Sequence, residues 1–333
     1  MNRGSRVRFG LWYIIACALL LVGVVAFCIG MNGLDWNFKS LDTTTYTERS
    51  FVPAESESIA GLDINMRSRE VVVVGTEGNF GVEYNDWDDN KLEVSIENNI
   101  LIIKEARKFQ PFNLNVFKDI NYKKQIVHVS VPKVLIEESK ILVSSGFITL
   151  EDVEFEKHLV VSAASGEIKI KNAIAQSASI DAKSGLIFIE NVVLSKPSII
   201  KTSSGSINLK SVIAQKIDLT ANSGIVEIVN SSIDDFVVDL KSGSFNGNQL
   251  NCINLAIFGK SGMVDIDKLI VICADISVAS GSINAQIIGN KTDYTITAEV
   301  KSGSKNISNQ TGATQTHKLN FYATSGIIEV QFA

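Results

Sequence analysis

Three histidines, His128, His158 and His317, are the only side chains here whose ordinary titration falls near neutral pH, and they stand far apart in the chain. None has a cysteine or a second histidine at ligand spacing, and no HExxH run is present. Acid–base chemistry would need paired carboxylates, for which Asp234 with Asp235, and Asp86 with Asp88 and Asp89, are the candidates. Successive residues of a strand point to opposite faces, so Asp234 and Asp235 could share a site only on a loop. Neither cluster has a partner acid at a repeated position, and both read as turn residues and solvated charge. The four cysteines, Cys17, Cys28, Cys252 and Cys273, contain no CxxC pair, which argues against both a metal cage and a disulfide scaffold. No GxSxG elbow or phosphate-binding glycine loop occurs either. The expectation is no enzyme, no cofactor and no metal.

One set of side chains does suggest binding. Lys183, Lys241, Lys260 and Lys301 each stand directly before a Ser-Gly pair. Stacked, they could form a basic strip for an anionic cell-wall polymer, lipid or glycan. Asp181, Asp239 and Glu299 stand two residues earlier on the same face. There they would neutralise the strip and pair across strands, which favours a structural role for the lysines. A net charge of −5 gives no general attraction for nucleic acid, and no such partner is expected.

The elements that would position those lysines form a repeat. Ser-Gly occurs at 145, 165, 184, 204, 223, 242, 261, 280, 302 and 325, at intervals of 19 to 23 residues. The third and fifth positions after most of these serines are apolar, as in Ile187 with Ile189 and Val226 with Ile228. The fourth and second before it are apolar or small, as in Leu219 with Ala221, and a third apolar point follows eight after it, from Val153 to Ile288. Spacing of two is the strand period and excludes a helical repeat. Each unit is thus two short strands and a third inward point. The architecture this implies is all-β: a single-stranded right-handed parallel β-helix, or β-solenoid, with coils of about 19–20 residues. The hand follows from the overwhelming preference of parallel crossovers. Gly146, Gly166, Gly185, Gly205, Gly224, Gly243, Gly262, Gly281, Gly303 and Gly326 would form a structural turn column, supplying a backbone conformation that a side chain penalises. Asp152, Asn172, Asn191, Ser211 and Asn230 mark a second corner.

Ahead of the coils, Leu11 to Met31 is a run of 21 residues without a charge, long enough to cross roughly 30 Å of hydrocarbon as one N-terminal transmembrane helix. Arg3, Arg6 and Arg8 precede it, so the N-terminus is expected in the cytoplasm and the remainder outside. The apolar core is long and the exit "VAFCIGMNG" poor for a cleaved signal, so an uncleaved single-pass anchor is the reading. The organisation that follows is a cytoplasmic tail at 1–10, the signal anchor at 11–31 and a juxtamembrane linker at 32–56. An irregular cap with the first coils takes 57–140 and the regular solenoid 141–333, one continuous domain over 57–333. Within the cap, "GLDINMRSREVVVV" keeps the coil phase, with Arg69 where glycine usually sits.

The stretch "VHVSVPKVLIEESKILVSSGFITL", strand, Val-Pro-Lys turn, strand, Ser-Gly and strand, resembles the bacterial putative-adhesin domain of β-strand repeats, a family of unknown function that includes LiaG-like envelope proteins. The resemblance spans about residues 57–333 and the anchor-plus-ectodomain layout. It implies a right-handed β-helix at the cell surface and carries over no catalytic residue.

The function expected is a noncatalytic ectodomain that binds, adheres or scaffolds at the envelope and is linked to its stress response. The alternatives are a β-helical glycan-active enzyme and a self-assembling filament. Partners would be the membrane, through the N-terminal helix, and an envelope protein or anionic cell-wall polymer. The last coil, "FYATSGIIEVQFA", ends at Ala333, and its open edge is expected either to be covered by "KNISNQTGATQTHK" or to accept a strand from a partner or second copy.

Overall fold

In a computed structural model of the chain, residues 3–37, 44–78, 80–87, 90–107, 122–314 and 316–333 are described. Helix α1 runs Arg3–Asn32. The strands follow as β1 Tyr46–Phe51, β2 Gly61–Met66, β3 Glu70–Thr76, β4 Gly81–Trp87, β5 Asn90–Glu97 and β6 Ile100–Arg107. After them come β7 Ile126–Pro132, β8 Val134–Leu135, β9 Ser139–Ser145 and β10 Ile148–Glu151. Continuous winding over many corners makes β11 Glu154–Leu194 and β12 Ser198–Ile287, and β13 Thr295–Lys305 and β14 Lys318–Phe332 complete the chain.

The apolar spacing produces a stack of coils that pair in parallel with their neighbours. Ile180 lies beside Ile200, Ser184 beside Ser204 and Ile187 beside Ile207, one coil apart in sequence. The inward positions read from the sequence are buried, and so are two more columns, six before the serine (Phe236, Leu255) and ten after it (Leu194, Val271). All belong to one apolar core that runs from Ile59 to Val330. Ile288, expected inside, is 37% exposed. There the chain has left the winding and turns at Gly289 instead.

Both ends depart from chain order. At the N-terminal end, β2 and β3 pair with β9 and β10, so the coil around Ser68 lies directly under the coil around Ser145. The segment between them in sequence goes outside: β6 covers β2 and β7 covers β3. At the other end β14 pairs with β12 on one side and β13 on the other. The last coil is therefore inserted between the Ser280 and Ser302 coils. This corrects the expectation of an open C-terminal edge, because the outermost strand is β13 and Glu329 lies in an inner coil. Residues 306–314 fold back over β13: Ile296 and Gln310 exchange both backbone hydrogen bonds, and Lys305 Nζ donates to the Ala298 carbonyl.

Part of the expected linker is also folded. β1, within 32–56, pairs antiparallel with β4, Tyr46 beside Trp87 and Phe51 beside Val82. Among the described residues no helix is long and apolar enough to cross a membrane. The side chains of α1 are described from Ala16 onward, so the first part of the run at 11–31 lies outside that statement.

Candidate binding surfaces

The two corners of each coil are built by different means. At the Ser-Gly corner the ten glycines have φ from +133° to +159°. In the middle of the stack, a Cβ on Gly224 would lie 1.7 Å from the carbonyl oxygen of Gly205. The position excludes a side chain twice, by backbone conformation and by contact with the coil beneath. Arg69 stands outside both limits: it is absent from the positive-φ residues, and Gly146 stacks on its carbonyl with no described Ser-Gly corner on its other side. Its side chain fills that end instead. The other corner uses left-handed residues with side chains, Asp152, Asn172, Asn191, Ser211 and Asn230, φ +49° to +59°, extended by Gln249 and Lys268. Asparagine supports this turn through its own amide: Asn191 Nδ2 donates to Asn172 Oδ1 and Asn172 Nδ2 to Asp152 Oδ1, both at 3.1 Å.

The four lysines are exposed, but the stack does not bring them into one strip. The glycine contacts make only the Lys241 and Lys260 coils neighbours. Ser203 and Asn222 intervene before Lys183, and the inserted coil places Ala279 and Thr324 between Lys260 and Lys301. Lys301 sits over the Tyr322 ring at 5.7 Å, and the hydrogen bond it donates to the Tyr322 side chain raises its pKa above the ordinary lysine value.

The histidines remain apart. His158 lies between two hydroxyls of the next coil, Nδ1 2.8 Å from Ser177 Oγ and Nε2 2.9 Å from Ser179 Oγ. His317 packs on Tyr294, and His128 stands on β7 beside Glu83 of β4. Asp235 accepts from Asn254 Nδ2 at 2.6 Å, and Asp86 lies 3.5 Å from Arg49, whereas Asp88 and Asp89 lie outside the described residues. Among the described residues no three His, Cys, Asp or Glu side chains come together.

Sequence reasoning missed an open groove of about 720 Å³ at the N-terminal end. Glu48, Arg49, Tyr84, Lys124 and His128 line it, and Lys124 pairs with Glu48 at 3.0 Å. Burial raises the Tyr84 pKa above its ordinary value, with Asp86 adding to the shift. No signal in the sequence joins β1 to β4 and β7, because antiparallel cap strands carry no repeat phase.

The parallel pairing of coil on coil is that of an all-β repeat protein. The chain belongs to the Toastrack DUF4097 family, whose model matches residues 59–224 and 195–332. Among solved structures, it is similar to a putative adhesin from Parabacteroides distasonis ATCC 8503, at 12% identity over 71% of this chain and 97% of that one, with a TM-score of 0.50. At that identity the likeness is one of fold. A putative adhesin from Parabacteroides merdae ATCC 43184 matches at 10% identity over 87% of this chain and 98% of that one, with a TM-score of 0.34. No curated protein matches this chain.

Proposed function

We propose that the protein is a noncatalytic binding or scaffold module displayed on the cell envelope. Its coils form a right-handed parallel β-helix, held at the membrane by residues 11–31 with the N-terminus in the cytoplasm. The observation that carries this reading is the character of α1. Leu19, Leu20 and Leu21 point in successive directions round the helix and are 67%, 69% and 65% exposed, and Val22 to Ile29 continue in the same way. A helix apolar on every side needs a protein core or a bilayer around it, and among the described residues no protein core surrounds its described part. The names of the neighbouring structures as adhesins support surface display and binding. The broken lysine column weighs against an anionic polymer and in favour of another envelope protein as partner. The experiment is protease treatment of intact spheroplasts carrying the full chain. Digestion of residues beyond 45 with a small stub left in the membrane is expected; full protection of the coils would overturn the reading.

A further inference from the structure

The column two residues after each serine alternates in space. Large apolar side chains, Phe147, Leu186, Ile225, Met263 and Ile327, occupy every second coil, and the first, third and fifth of these are 44–49% exposed. Glu167, Ser206, Ser244 and Ser282 stand between them, and Ser304 follows Ile327 on the outermost coil. Chain order breaks this pattern, since Ser282 and Ser304 are consecutive; the inserted coil restores it by placing Ile327 between them. Two residues further along, the same coils carry Asn208, Glu227, Asn246, Asp265, Asn284 and Glu329 in turn. That second alternation has a reason within the chain, because stacked carboxylates repel and Asn208 Nδ2 donates to Glu227 Oε2 at 2.9 Å. The first has none, since aliphatic side chains on adjacent strands pack favourably with each other.

We infer that this face binds a second copy of the chain, with the coil stacks reversed about a two-fold axis between the Ile225 and Ser244 coils. The ten Ser-Gly coils are an even number, so their row read backwards is its own complement, with the Ser68 coil and its Glu70 left beyond the overlap: every large apolar side chain meets a small or polar position. Ile225 faces the second copy's Ser244, Leu186 its Ser282 and Phe147 its Ser304. Charges agree with the same arrangement. Glu227 meets Asn246, Asp265 meets Asn208, and Glu329 meets Lys169. The single poor match, Ile327 against Glu167, lies at the end of the row beside that last ion pair. The strip is about 15 Å wide and about 45 Å long, or roughly 700 Å² a side, close to the about 800 Å² a side of a standard interface. Such a symmetric contact is isologous and closes at two copies. It places the two N-terminal ends at opposite poles, as for copies that meet from facing surfaces, and it does not depend on the membrane reading.

The test uses the full chain in detergent, with Cys17, Cys28 and Cys273 replaced by serine and the buried Cys252 retained. Light scattering should give a dimer. With a short bis-maleimide, Ser244→Cys should link to itself because it lies next to the axis. Ser304→Cys should not, its copies being about 43 Å apart, but it should link when mixed with Phe147→Cys. Ile225→Asp should weaken dimerisation at least about tenfold, while Ile213→Asp on another exposed face should leave it unchanged, both keeping the wild-type circular dichroism. A monomer at all concentrations, self-linking of Ser304→Cys, or an Ile225→Asp dimer of wild-type affinity would each overturn the proposal. So would a monomer that instead binds β-linked oligosaccharides through Ile225.

Discussion

The two ends of the stack are closed by one topological device and two different chemistries. In both, the coil that stacks on the solenoid is not its neighbour in sequence, and a segment that separates the two in the chain lies outside. At the N-terminal end the cover is a mixed sheet with a buried cation. Arg69 is fully buried, lies 4.1 Å from the centre of the Trp87 ring, and donates to the carbonyls of Asn85 and Asn90 at 2.6 and 2.9 Å. Asn90 in turn donates to Glu105, whose other oxygen accepts from the backbone of Arg67 and Ser68. At the C-terminal end side-chain amides make most of the contacts, beside the exposed Lys305 ammonium on the Ala298 carbonyl. Asn306 accepts from Val330 N at 2.8 Å and donates to Val330 O at 3.2 Å, and Asn309 accepts from Ala298 N. The contrast teaches that a coil stack needs its last backbone groups satisfied, and that either a desolvated guanidinium or a pair of side-chain amides can do this.

Breaking the column between the ends should have the largest effect. Gly224→Val puts a side chain into the Gly205 carbonyl and adds strain at positive φ, so a loss on the order of 4 kcal/mol is expected in thermal or urea melts. A wild-type midpoint would refute the account of that corner. Arg69→Ala, in the same column but without positive φ, should avoid that strain yet leave two carbonyls unpaired and a void. A cost of about 3 kcal/mol is expected, accompanied by quenching or a shift of Trp87 fluorescence. Asn306→Ala at the other end should cost about 1–2 kcal/mol and raise amide exchange at Val330 before that of Ile266.

Smaller changes sharpen the contrast between ends and middle. Thr202 stands at an inward position with its hydroxyl buried and unpartnered. Thr202→Val should therefore stabilise by about 1 kcal/mol, read as a higher midpoint. Burial pushes the Cys252 thiol up to about 12 from 9.0. The folded state thus holds this proton more tightly than the unfolded chain. Its contribution is intact below about pH 9 and declines as the pH rises towards 12. Cys252 should resist alkylation at pH 8 until the chain is unfolded.

The middle of the molecule was legible because identical environments recur. A residue that must turn at positive φ, or face the core, leaves the same mark in coil after coil. The ends were not, for physical reasons that particular residues make plain. Arg69 reads as a lapse in the glycine column, and only its contacts with Trp87, Asn85 and Asn90 explain the side chain. Lys305 reads as a charge at a core position, yet on the outermost coil it reaches the Ala298 carbonyl instead. β1 shows no apolar period because an edge strand with the pattern Thr-Glu-Arg-Ser is exposed along most of its length. As for binding surfaces, the lysines shared a phase but not a neighbourhood. The alternation of Ile225, Met263 and Ile327 was present in the letters, but chain order hid its phase.

The order of coils in space is the claim on which the closed ends, the broken lysine strip and the alternating face all depend. Pairs of cysteines at 282, 304 and 327, in the chain lacking Cys17, Cys28 and Cys273, measure it directly with a zero-length or short thiol cross-linker. Ser282 and Ser304 are each beside Ile327 and two coils from each other. Rapid linking of 282 to 327 and of 304 to 327, with 282 to 304 slow or absent, is the predicted result. Rapid linking of 282 to 304 with none from 282 to 327 would mean that the coils stack in chain order, and would contradict the account.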